Sequence, residues 1–269
     1  MWYIRKTKNN LIMKFKLKLV LVLLAAIAIT YTACKKSGAN ASGPAIPPQQ
    51  VAGQVAVTIS QSLFGGLGFD ISGGLNAPAG FAVHTKGKVL QDLTNPDCSL
   101  HVDTTLSFTG AANGGSATIS GNVKFDFFCT NNVVTGFATN DNLTISLASP
   151  DLSFTYKVAE NLTLTSVNPN DPNSNLSLSG SLNSNGSYQY NTGSKKSGTE
   201  IFDYTLSSLI LNPADADIIS GSATFNTQGT GPKGVWNYQG TITFLGNQMA
   251  DVTISGKVYH VNLQTGAVS

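Results

Sequence analysis

The stretch "FTGAANGGSATIS" (residues 108–120) sets Asn113-Gly114 between runs that alternate apolar and polar side chains. Asn-Gly is the strongest short hairpin signal, because both central residues of a type I′ turn need φ > 0. A two-residue loop places Ala112 opposite Gly115 and dictates every pair outward from there. One face then carries Phe108–Ile119, Leu106–Gly121, Thr104–Val123, Val102–Phe125 and Leu100–Phe127. The other carries Ser107–Ser120, Thr105–Asn122, Asp103–Lys124 and His101–Asp126. A slip of one residue would destroy both patterns, so the register is strongly specified. It also puts Cys98 directly opposite Cys129. Paired Cα atoms about 5.5 Å apart suit a bridge, and the spacing predicts a Cys98–Cys129 disulfide. Two buried free thiols are the alternative. Zinc is disfavoured, since two cysteines without CxxC spacing make a poor site.

From about residue 81 onward the period of two persists. Examples are "LTISLA" (143–148), "LSFTYKV" (152–158), "LTLTSV" (162–167), "LSLSGSL" (176–182), "DYTLSSLIL" (203–211), "TITFL" (241–245) and "DVTISGKVYHVNL" (251–263). Turn residues separate them, and the pattern reads as an antiparallel meander. Asn185-Gly186 is a second hairpin candidate, but a two-residue loop there mixes the faces, so a three-residue loop is expected. A loop at 246–248 predicts Phe244–Ala250, Ile242–Val252, Tyr238–Gly256 and Trp236–Val258. A loop at 229–234 predicts Phe225–Tyr238 and Ile219–Phe244. Gly121, Gly221 and Gly256 then fall on the apolar face. A mid-strand glycine lets a strand bend or an aromatic ring lie across it.

Before the sheet, "PQQVAGQVAVTISQSLF" places Val51, Val55, Ile59 and Leu63 at four-residue spacing behind Pro48. This predicts a helix over about 48–64, ended by Gly65-Gly66, followed by a glycine-rich loop at 65–80. The expected fold class is all-β with one short N-terminal helix. The sheet is a long, curved antiparallel meander, half-barrel-like, with the helix packed on its concave face.

Residues 1–34 read as a lipoprotein signal peptide. Lys14, Lys16 and Lys18 precede the apolar "LVLVLLAAIAI" (19–29), which is too short to span a membrane. "TYTAC" follows and resembles a lipobox, making Cys34 the lipidation candidate; Met13 is an alternative start. Residues 35–47 read as a flexible tether, and 48–269 as a single domain. Of 16 basic residues six precede Cys34, leaving ten lysines against 14 acidic residues, a net −4. No Arg follows Cys34, which argues against nucleic acid as a partner.

Candidate chemistry is sparse. His84, His101 and His260 sit in no HExxH frame, and no GxSxG or P-loop occurs, so no catalytic residue and no cofactor is assigned. His101 with Asp126 reads as a cross-strand polar pair more than as half a catalytic dyad. "DPNSN" puts Asp171, Asn173 and Asn175 at alternate positions, as in calcium loops, without that motif's Gly and distant Glu. A turn is the better reading, and Asp215 and Asp217 read likewise. Phe225, Trp236, Tyr238 and Phe244 read as core, with an apolar ligand groove as the alternative.

"TACKK", "DCSLHVDTTLSF…FFC" and "TISGKVYHVNLQTG" together resemble outer-membrane lipoproteins of Bacteroidota. The resemblance implies compartment and fold and carries over no site residue. Lys35 after the cysteine favours the outer membrane. The lack of acidic residues there favours the periplasmic leaflet over the cell surface. Three functions are compatible with these residues: a non-enzymatic envelope module that docks partners, a periplasmic carrier of an apolar ligand or lipid, and a hydrolase with an unrecognised site.

Overall fold

A computed structural model describes residues 45–64, 98, 101–112, 114–171, 173–193 and 195–269 of the protein. Cys34, His84, the loop 65–80 and Asn113 lie outside the described residues. Helix α1 (Pro48–Phe64) precedes ten strands: β1 (His101–Ala112), β2 (Gly115–Thr130), β3 (Val133–Ala148), β4 (Leu152–Ser166), β5 (Leu176–Tyr190), β6 (Ser197–Asn212), β7 (Asp217–Gly231), β8 (Gly234–Gly246), β9 (Met249–Ile254) and β10 (Lys257–Asn262). They pair in chain order from β1 to β10, every pair antiparallel, as one open sheet with β1 and β10 at its edges.

The Asn-Gly hairpin has the expected register. Ala112 faces Gly115, Phe108 faces Ile119, and His101 faces Asp126. Gly114 has φ 77°, which a glycine adopts freely at a turn tip. The disulfide closes the far end, with Cys98 and Cys129 Cα atoms 5.6 Å apart. Gly121 has φ 146°, and a Cβ there would collide with the Asn142 carbonyl oxygen, so the β2–β3 approach needs glycine.

Several expected pairings are corrected. The runs read separately at 152–158 and 162–167 are one strand, β4. The interruption at 159–161 does not break the parity. Val158, Glu160 and Leu162 stay on one face, and their cross-strand partners continue in step. Asn185-Gly186 is no turn but lies inside β5, where Tyr156 faces Gly186. A Cβ at 186 would run into the Tyr156 ring, so this glycine serves close approach of an aromatic. The β7–β8 loop is shorter than expected: Gly231 faces Gly234, so Thr227 rather than Phe225 opposes Tyr238, and Gly221 rather than Ile219 opposes Phe244. Phe244–Ala250 and Ile242–Val252 hold. Tyr238–Gly256 and Trp236–Val258 do not form, because Ser255-Gly256 (φ 50° and 79°) turns the chain from β9 into β10. Apolar-Ser-Gly is mid-strand at residue 121 and a turn at 256. Local sequence does not separate the two, since both settings accept φ > 0 at glycine.

Helix α1 supplies Val51, Val55, Ile59 and Leu63 to the interior, all buried as the four-residue spacing predicts. Each contributes about 1.5–3 kcal/mol gross on burial. The helix packs over β7–β10. The Tyr204 hydroxyl donates to the Val55 carbonyl at 3.1 Å, fastening β6 to it. The last tether residues are also held, contrary to the expectation of a free tether up to 47. The Ile46 N–H donates to the Val235 carbonyl at 2.9 Å, and the Tyr238 hydroxyl donates to the Ile46 carbonyl at 2.8 Å. One apolar cluster spans the sheet beneath and beside the helix, including Leu162, Leu178, Leu209, Ala223 and Ile242. A smaller one centres on Ile145, Leu152 and Phe154.

Candidate functional site

Phe225 and Phe244 are buried core residues. The Phe225 ring lies over Gly240, which it faces. Trp236 and Tyr238 share that face but are only half-buried. Trp236 lies across Gly229 and donates its indole N–H to Thr227 Oγ1 at 3.0 Å. The four aromatics therefore fill the helix-covered face, and each polar tip has a partner within the chain. That is a core arrangement.

The turn reading also holds for "DPNSN". Asp171 Oδ1 accepts from the Asn173 N–H at 2.9 Å, and the Asn175 carbonyl accepts from the Val167 N–H at 2.9 Å. The Asp217 carboxylate accepts from the Asn247 and Gln248 N–H groups at 2.7 and 3.0 Å, stapling the β8–β9 turn. Asp215 Oδ2 accepts from Asn212 Nδ2 at 2.6 Å. His101 and Asp126 are hydrogen-bonded and more than half exposed on the wet face. His260 makes the equivalent cross-strand pair with Asp251 at 2.5 Å. Lys124 bonds Asp103 at 2.8 Å, and that bond and its charge raise the Lys124 pKa. Exposed pairs like these add little stability.

Two acidic groups on the interior face belong to no motif in the sequence. Asp141 and Glu160 are direct cross-strand partners, 6% and 5% exposed. Glu160 Oε2 is buried without a hydrogen-bond partner among the described residues. Burial first, and the Asp141 charge second, push the Glu160 carboxyl up to about 7. Burial raises Asp141 too, partly offset by the Thr139 hydroxyl and the Lys124 N–H, which donates to Asp141 Oδ1 at 3.2 Å. Facing a second buried carboxyl, Glu160 therefore gives up its proton only near neutrality. Glu200 is a further acid on this face among the described residues. It accepts from the Tyr156 hydroxyl at 2.5 Å over Gly186, and burial raises both groups. The parity of strand positions could have found all three: each is an acid in phase with buried apolar neighbours. Among the described residues no group of three or more His, Cys, Asp or Glu is placed to hold a metal.

The open space lies on the opposite face. Two adjoining troughs of about 460 and 470 Å³ cross β2–β8. Strand pairing sets Thr118, Ser146, Thr155, Ser187, Thr199 and Thr230 in one row across six strands. Ser146 and Thr155 hydroxyls bond at 3.1 Å, as do those of Thr199 and Thr230. Lys157, Asn185, Ile201 and Gln228 form the next row. Gly229 and Trp236 lie at the edge of the first trough, with the Trp236 ring turned to the helix-covered face. A twisted sheet is saddle-shaped, so its wet face acquires a hollow diagonal without any loop to build it.

No protein-family model matches the chain, and no similar curated protein or solved structure was found.

Proposed function

We propose that this chain is a lipid-anchored protein of the outer membrane, held through Cys34, and that it works as a non-enzymatic binding module. The observation that carries the reading is the division of labour between the two faces of the sheet. Helix α1 and the aromatics occupy the interior over β7–β10, while the accessible hollow is on the wet face, where most of the lining residues are Ser, Thr, Asn and Gln. An apolar carrier would need the reverse: an open groove lined by rings. The lipobox-like "TYTAC" and the basic, then apolar, segment before it support the anchor. Several acyl chains on Cys34 would hold the protein stably, where one is marginal.

The test has two parts. Metabolic labelling with an alkyne fatty acid should mark the wild-type chain and not Cys34→Ala, which should leave the membrane fraction. Native mass spectrometry of protein extracted from its own envelope should then show a bound polar partner. A stoichiometric lipid instead would establish the carrier and end the binding-module reading.

A further inference from the structure

We propose that the wet-face trough binds a neutral, hydroxyl-rich polymer, that is, a glycan chain lying across the strands. This rests on the reading of the chain as a binding module and names what the module takes.

The first reason is hydrogen-bond chemistry. Each Ser or Thr hydroxyl both donates and accepts, and each Asn or Gln amide does the same with separate atoms. A sugar hydroxyl has the same dual character, so the two surfaces match group by group. The Ser146–Thr155 and Thr199–Thr230 bonds use only part of each hydroxyl's capacity. Asn185, Ser187 and Gln228 make no side-chain hydrogen bond among the described residues, and all three line the trough. Ile201 adds apolar surface at the same place, suited to the C–H faces of sugar rings.

The second reason is charge. Among the described residues, Lys157 is the one charged side chain lining either lobe. A polyanion needs several cations along its track, and a cationic ligand needs acids. The described lining offers neither. An apolar ligand would strip water from six aligned hydroxyls without replacing their hydrogen bonds, which is costly. A neutral polyol replaces them.

The third reason is shape. The lobes share Thr155, Ser187, Thr199 and Thr230, so they form one continuous track. Its hydroxyls recur at the strand spacing of about 4.8 Å. A long, shallow track with a repeat along its length fits an extended polymer with a repeat of its own. A compact ligand would instead need an enclosing pocket.

Full-length protein in detergent, titrated with cellohexaose, laminarihexaose, chitohexaose and mannohexaose, tests this by calorimetry. At least one should bind, and heparin should not. The double variant Thr155→Val, Thr199→Val keeps β-branched side chains and removes two hydroxyls from the row. It should weaken binding about tenfold or more. Thr241→Val, on the same face outside the trough, should bind like wild type. Circular dichroism checks the fold, and Gln228→Ala serves if the double variant misfolds. The proposal is overturned if no neutral oligosaccharide binds, if heparin binds as tightly, or if trough variants bind unchanged. If the sugars fail while native mass spectrometry still recovers a protein partner, the glycan is wrong and the binding module stands.

Discussion

Replacing Glu160 by glutamine should make the protein more stable at pH 8 and flatten its pH dependence. Glu160 faces Asp141 in the interior, and its carboxyl is pushed up to about 7 from an ordinary 4.5. Between those values the folded state keeps a proton that the unfolded chain has released. Stability is therefore full below about pH 4.5, falls as pH rises, and levels off above about 7. A gap of about 2.5 in pKa, at about 1.36 kcal/mol for each unit, amounts to about 3 kcal/mol lost across that window. Asp141, also raised by burial, acts in the same direction. The glutamine amide has the shape of the protonated acid and does not titrate. Glu160→Gln should match wild type near pH 4.5 and exceed it by about 2–3 kcal/mol at pH 8. Urea unfolding at pH 4.5, 6 and 8, followed by the emission of Trp236, measures both. Parallel decline of wild type and variant would refute the reasoning, as would a Glu160→Gln chain less stable than wild type at pH 8. Either result would mean that the buried carboxylate is ionised and held by a partner.

The remaining expectations concern the frame. The Cys98–Cys129 bridge spans 31 residues; with both cysteines changed to Ser, stability should fall by about 3–4 kcal/mol on the chain-entropy estimate, read as a lower urea midpoint. A midpoint unchanged by the double substitution would show that the bridge constrains little. Gly186→Ala should cost more than the usual ~1 kcal/mol of a point change, because the new methyl displaces Tyr156 and its bond to Glu200. A tolerated alanine, by thermal melt, would deny the ring's position. Tyr204→Phe should lose about 1 kcal/mol by removing the hydroxyl that fastens β6 to Val55 of the helix; hydrogen exchange should then quicken in α1 before the sheet.

Part of this architecture is legible residue by residue. Asn113-Gly114 yields a register for β1 and β2 because a type I′ turn and an apolar face over-determine it together. The disulfide follows, since that register aligns the two cysteines. The helix is legible from Val51, Val55, Ile59 and Leu63. The later hairpins are less so. A turn of two residues and a longer loop can preserve the same alternation, so local pattern misplaces β7–β8 by two residues. It also reads Ser255-Gly256 as strand. Gly186 reads as a turn because a glycine under an aromatic ring and a glycine at a tip carry the same letter.

By itself the sequence determined the strand chemistry: period-two alternation, one apolar face, a meander order and the first hairpin's pairing. All of these follow from neighbours a few residues apart. Only the tertiary structure decided which groups meet across several strands. Asp141 meets Glu160, Tyr156 reaches Glu200 over Gly186, and six hydroxyls from β2–β7 fall into one row. Those juxtapositions depend on the accumulated register of every intervening pair. A single two-residue error in any loop shifts all that follow, so no local signal carries them.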